Sequence, residues 1–122
     1  MTIIEMLNRL ATVAPDVCEK RGDYFIIGNY MFFDWGNGDF VAKLDKLGST
    51  AYGGRPALAW LADAIMAECE KRGWDYDILY DASLKPVQAS HWAGIEGGHR
   101  LSADTQAEAL LAAFLAVMEG ER

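Results

Sequence analysis

Five consecutive residues occur twice in this chain, as Cys18-Glu19-Lys20-Arg21-Gly22 and as Cys69-Glu70-Lys71-Arg72-Gly73, 51 positions apart. An Asp-Tyr pair follows each copy, Asp23-Tyr24 and then Asp75-Tyr76. The same offset places Leu7 on Leu58, Leu10 on Leu61 and Ala14 on Ile65, so an apolar stripe at helical spacing repeats with the pentapeptide. Lys and Arg favour a helix C-terminus, where unpaired carbonyls leave a partial negative charge. Gly ends helices because it turns left-handed without a steric penalty. The pentapeptide therefore predicts a helix end in both copies, each followed by a strand. The expectation is a single domain spanning 1–122, made of two repeats of about 1–51 and 52–122.

The rest of the pattern fills in those repeats. Thr2 and Glu5 form a capping-box pair ahead of a stripe of Ile3, Leu7, Leu10, Ala14 and Val17, which predicts a first helix. Pro15 breaks it near Val13, leaving Asp16 to Arg21 as a separate turn of helix ending at Gly22. From Tyr24 to Leu44, aromatic and β-branched residues interrupted by Gly28-Asn29 and Gly36-Asn37-Gly38 predict three short antiparallel strands. Phe25 to Ile27 and Met31 to Phe33 are apolar enough to need cover on parts of both sheet faces.

After the connection Gly48 to Gly54, Pro56 sits in the first turn of a second helix. Its inward stripe is Leu58, Leu61, Ala62, Ile65 and Cys69, and Trp60, Ala64 and Ala67 form a second face. Trp74 to Tyr80 reads as a half-buried strand, Asp81 to Pro86 as a turn, and Val87 to Ile95 and His99 to Leu101 as two further strands. Thr105 and Glu108 open a final helix that is apolar around most of its girth, which makes it central or part of an interface. The fold class is thus α+β, an internally duplicated helix-βββ-helix-βββ-helix with antiparallel sheet packed against helices.

The segment Gly73-Trp74 through Tyr80, then Ala89-Ser90-His91-Trp92, then Ala107-Glu108-Ala109 with Leu110 and Leu111, resembles small phage and prophage proteins built on an αβα "phage ABA sandwich" unit. In that family a Trp-initiated meander precedes a small-residue helix with a Thr-Pro-Ala-like start. Arg55-Pro56-Ala57 keeps the Pro, and Thr105-Gln106-Ala107 lacks it. The resemblance implies a non-catalytic accessory protein that acts by binding, with a host protein, such as a defence protein that it inhibits, as the expected partner. It carries over no catalytic residues.

Charge narrows the partner classes. Eighteen acidic residues against eleven Lys and Arg give a net charge of -7, which repels a phosphate backbone and disfavours nonspecific nucleic-acid binding. No apolar run reaches the length of a membrane span, and no basic leader precedes an apolar stretch, so a cytoplasmic protein is expected. Cys18 and Cys69 read as two buried thiols, and no cofactor or metal set is evident. A metal would need His91 and His99 to converge with Asp81 or Glu96 across a hairpin.

Two sets of residues remain as binding candidates. Gly53, Gly54 and Arg55 before the second helix, and Gly98, His99 and Arg100 before the third, could hold a nucleotide-like anion through backbone N-H groups and a guanidinium. Neither is a P-loop, since no Gly-Lys-Ser/Thr follows. Asp75 and Asp77, two apart on one strand and so pointing the same way, combine with Trp35, Trp60 and Trp92 as an acidic, aromatic protein-binding face. Trp60 and the apolar last helix also offer a surface for self-association, which leaves a small structural or oligomeric protein as a further alternative.

Overall fold

The computed structural model describes residues 1–34, 40–44, 50–84 and 90–120. The predicted turn Gly36-Asn37-Gly38, Trp35, Gly48-Ser49, the stretch from Lys85 to Pro86 and the start of the predicted strand at Val87 lie outside them.

The first helix, α1, spans Ile3–Val13, and both halves of its capping box form: Thr2 Oγ1 accepts from the Glu5 N-H while Glu5 Oε1 accepts from the Thr2 N-H. Pro15 ends it as expected. The next residues do not resume a helix. Glu19–Arg21 is a strand, β1, paired antiparallel with β2 at Tyr24–Ile27, and Gly22 turns the hairpin at φ +59°. Strands β3 (Tyr30–Asp34), β4 (Phe40–Leu44) and the two-residue β5 (Tyr52–Gly53) continue a five-stranded antiparallel sheet in the order β1-β2-β3-β4-β5. Among the described residues, the chain before α2 thus carries five strands where three were expected.

The second pentapeptide behaves as predicted. Helix α2 runs Gly54–Arg72, and Gly73 closes it at φ +71° with Lys71 and Arg72 in the last turn. The Gly73 N-H donates to the Glu70 carbonyl and the Trp74 N-H to the Cys69 carbonyl, the paired bonds of a Schellman ending. One pentapeptide is therefore a surface strand in its first copy and a helix end in its second. Duplication holds only loosely, in the order of elements and in the left-handed Gly.

A second, three-stranded antiparallel sheet follows: β6 (Tyr76–Tyr80), β7 (His91–Ile95) and β8 (Leu101–Ala103), with one 3₁₀ turn at Ala82–Leu84 between β6 and β7. Helix α3 spans Gln106–Met118, capped by Thr105 Oγ1 accepting from the Glu108 N-H. It packs against β7, β8, α1 and α2, and Leu110, Leu111 and Phe114 are wholly buried. Its apolar girth is consumed inside the protein, which removes it as a self-association surface.

One apolar cluster joins the parts: Leu7 and Leu10 of α1, Phe25, Ile27 and Phe32 of the large sheet, Leu61 and Ile65 of α2, Ala93 and Ile95 of β7, and the inner side of α3. The large sheet is covered as its sequence demanded, since Phe25, Ile26 and Ile27 are all buried although they alternate between faces. Glu68 is buried at the end of α2, where Arg72 pairs with it at 2.7 Å and lies 5.6 Å from the Trp74 ring and 5.9 Å from the Phe114 ring.

Candidate functional site

The small sheet is where the surface chemistry concentrates. Residues opposite each other in an antiparallel pair share a face, so the register of β6 with β7 sorts the side chains. Tyr76, Ile78 and Tyr80 lie on the face of His91, Ala93 and Ile95, which is the side that α3 covers. Asp77 and Leu79 share the other face with Gly94 and Trp92. Asp75, one residue before the strand, continues that row.

Three of the proposed partner residues are therefore brought together. Asp75, Asp77 and Trp92 lie on one face of one small sheet, with Leu79 between them at 46% exposure. Trp60 is elsewhere. It is half-buried on α2, 5.5 Å from the Tyr30 ring and 5.3 Å from the Tyr52 ring, so it fills the seam between α2 and the large sheet. The Tyr30 hydroxyl donates to Asp63 at 2.7 Å beside it, and that bond, with partial burial, holds the phenol above its ordinary range. Trp35 lies outside the described residues.

The two Gly-rich segments part company. Gly53 and Gly54 do begin α2, with Gly54 at φ +59°, and Arg55 projects from its first turn. Gly98, His99 and Arg100 instead belong to the turn between β7 and β8, and a whole strand separates them from α3. The Gly98 N-H donates to the Ile95 carbonyl around Glu96 and Gly97, both at positive φ, the pattern of a type I′ turn. Glu96 is the sole non-glycine among the described residues in that conformation. Its carboxylate accepts from the Asp75 N-H at 2.8 Å, which ties the turn to the start of β6.

Carboxylates surround this turn, and among the described residues no helix N-terminus stands behind it. Asp75, Asp77 and Glu96 line the same concavity as His99 and Arg100, and Arg100 donates to Asp77 at 2.6 Å. The Arg100 guanidinium, by hydrogen bond and charge, holds the Asp77 carboxyl below its ordinary range. Gly94 makes room for that pair, because a Cβ there would meet Asp77 Oδ1 at 3.0 Å and Arg100 Cγ at 3.2 Å.

His91 and His99 do not converge. His91 opens β7, with its ring 4.7 Å from that of Tyr80, and His99 follows the far end of the same strand. Among the described residues no group of three His, Cys, Asp or Glu side chains could hold a metal ion. Burial pushes the Cys18 thiol up to about 12 and the Cys69 thiol up to about 11, so neither is a poised nucleophile.

A groove of ≈ 970 Å³ lies between α2 and the inner side of β6. Leu58, Ala59, Ala62 and Met66 form one wall, Ile78, Tyr80 and His91 the other, and Arg55 and Thr105 stand at one end. At its opposite end the Tyr76 hydroxyl donates to Glu70 at 2.9 Å and draws strand and helix together. Leu58, expected in the core, is a half-buried wall of this groove.

The run Ile78, Leu79 and Tyr80 was expected to be half-buried and is instead exposed at 37, 46 and 53%. Alternation places only Leu79 on the outer face. Ile78 and Tyr80 point inward but stay exposed because α3 packs on β7 and β8, leaving β6 beside the groove. No family model, curated protein or solved structure matches this chain.

Proposed function

We propose that the protein is a non-catalytic binding protein of the phage accessory type, and that its partner is a host protein held on the outer face of the small sheet. The observation that carries this reading is the row Asp75, Asp77, Leu79 and Trp92, an apolar centre with an acidic flank on a face that leaves Leu79 46% exposed. A partly exposed tryptophan beside an exposed leucine supplies the aromatic and aliphatic anchor of an interface. The carboxylates suit a basic partner surface, such as one that otherwise grips nucleic acid, and inhibition would follow from covering it. The phage resemblance supports the setting.

The test is capture from a host extract by the immobilised protein. One dominant partner should be retained, with association weakened by salt and retention lost in a Leu79→Glu, Trp92→Ala double variant whose circular dichroism is unchanged. Retention that ignores both changes refutes the reading.

A second reading, sequestration of a nucleotide-like anion, has Arg55 and His91 in its favour and Asp63 and Asp104, which line the same groove, against it. It predicts a thermal shift with nucleotides that Arg55→Ala abolishes and Arg100→Ala, already engaged by Asp77, does not.

A further inference from the structure

The edge of the small sheet specifies how such a partner is held. In the order β6-β7-β8, β6 is an outer strand, and no described strand pairs with its other side. The Glu96 N-H donates to the Asp75 carbonyl and the Asp81 N-H to the Ser90 carbonyl, which fixes the alternation between them. Asp77 and Leu79 therefore spend their main-chain groups on β7. Tyr76 and Ile78 direct theirs outward, two N-H and two C=O groups along the open edge.

Sheet edges are normally blunted by Lys, Pro, a bulge or a charge directed outward. This one has none of the first three over Tyr76–Tyr80, and its single charge, Asp77, is drawn back across the sheet by Arg100 at 2.6 Å. Beside the edge lies the groove of ≈ 970 Å³, lined by Ala59 and Ala62 of α2 and by Ile78 and Tyr80.

We propose that β6 accepts an extended segment of a partner protein as a fourth strand, a segment alternating basic with β-branched apolar residues. The proposal rests on the protein-binding reading above and specifies its mode. An added strand runs about 4.8 Å from β6. Residues directly opposite Tyr76 and Ile78 exchange main-chain hydrogen bonds with them, and their side chains fall on the inner face, into the groove. Small branched apolar groups fit between Ile78 and the alanines of α2. The intervening residues emerge on the outer face beside Asp75, Asp77 and Leu79, where the carboxylates of Asp75, Asp77 and Glu96 outnumber the lone Arg100 in a chain of net charge -7, which favours Lys or Arg. Main-chain bonding gives affinity and this alternation gives selectivity.

The probe is an acetylated, amidated heptapeptide alternating lysine and valine, added at up to millimolar concentration to the isotopically labelled protein. In the free protein the Ile78 amide should exchange rapidly while those of Asp77 and Leu79 are protected by β7. Peptide should slow Ile78 exchange at least about tenfold and leave Asp77 and Leu79 unchanged. N-methylation at the valines, whose N-H groups would face β6, should weaken binding at least about tenfold, and N-methylation at the lysines should not. The Ile78→Pro variant, which removes an outward N-H and none of the bonds to β7, should lose the peptide; the methylated peptides keep the test decisive if that variant fails to fold.

Unchanged Ile78 exchange at millimolar peptide overturns the proposal, as does equal binding of the valine-methylated peptide. A free protein that sediments as a dimer with Ile78 already protected overturns it too, by assigning the edge to a second copy. If the host partner is released by the Leu79→Glu, Trp92→Ala change but held by Ile78→Pro, strand addition fails while the outer-face reading stands.

Discussion

Replacing Arg72 with Met keeps an aliphatic stem over Trp74 and Phe114 and removes the cation that Glu68 depends on. The Glu68 side chain is only 6% exposed, and Arg72 Nη1 lies 2.7 Å from its Oε1 and 3.4 Å from its backbone carbonyl oxygen. Breaking a buried pair from one side costs about 3–5 kcal/mol, because the surviving charge stays desolvated. Lys71 remains 3.5 Å from the other carboxylate oxygen, but it is largely exposed, so its screened charge compensates only in part. The expected loss is about 2–4 kcal/mol, against a total of roughly 5–15 kcal/mol for a domain. With a urea m-value near about 1.5 kcal/mol/M, the unfolding midpoint followed by circular dichroism should fall by about 1.3–2.7 M.

The repeat supplies the control. Arg21 occupies the same place in the first pentapeptide, yet there it is half exposed on a surface strand and pairs with an equally exposed Glu19 at 2.7 Å. Arg21→Met should cost about 0–0.5 kcal/mol. Combining Glu68→Gln with Arg72→Met removes both charges and should recover about half or more of the loss from Arg72→Met alone. The reasoning is refuted if Arg21→Met is as damaging as Arg72→Met, or if the double variant is no more stable than Arg72→Met.

Two further outcomes follow from the sites themselves. Because Arg100 depresses the Asp77 pKa in the folded state, their pairing stabilises above the ordinary aspartate range and is lost as pH falls through the depressed value. The Asp77 carboxyl carbon should titrate below the ordinary aspartate range by NMR, and Arg100→Ala, or the Gly94→Ala change that crowds the pair, should raise that midpoint; a midpoint insensitive to Arg100 contradicts the assignment. Cys18 and Cys69, raised by burial to about 12 and about 11, should resist iodoacetamide at pH 8 in the native protein and react in urea. Alkylation of the native protein at the rate of a free thiol would contradict that burial.

Much of the fold was legible because its signals are local. Thr2 with Glu5 and Thr105 with Glu108 mark helix starts through bonds within one turn, and both caps form. Pro15 stops α1 by removing a donor and blocking the preceding turn. The strands β2 and β3 follow from apolar residues around Gly28, whose φ of +60° suits the hairpin. The candidate site was legible in part. Asp75 and Asp77 share a face by strand alternation alone, but their neighbours Trp92 and Leu79 depend on the register of β6 with β7. The expected helix entry at Gly98 to Arg100 was not legible as a turn, because β8 intervenes before α3 and Asp77 takes up Arg100 only once β6 and β7 pair.

The repeated Cys-Glu-Lys-Arg-Gly shows where local information ends. In each copy the sequence alone determined a buried thiol and a left-handed Gly that reverses the chain, because those depend on a small apolar side chain and on the absence of a Cβ. Whether the intervening three residues are helix or strand was decided by the tertiary structure. The first copy begins three residues after Pro15 and lies beside β2, whose open edge takes up its main-chain groups. The second continues an unbroken α2 into a site where Trp74 and Phe114 receive Arg72, and Arg72 in turn neutralises the buried Glu68. The propensity of three residues is worth only tenths of a kcal/mol each, less than a set of hydrogen bonds or a buried ion pair contributes, so the surroundings prevail.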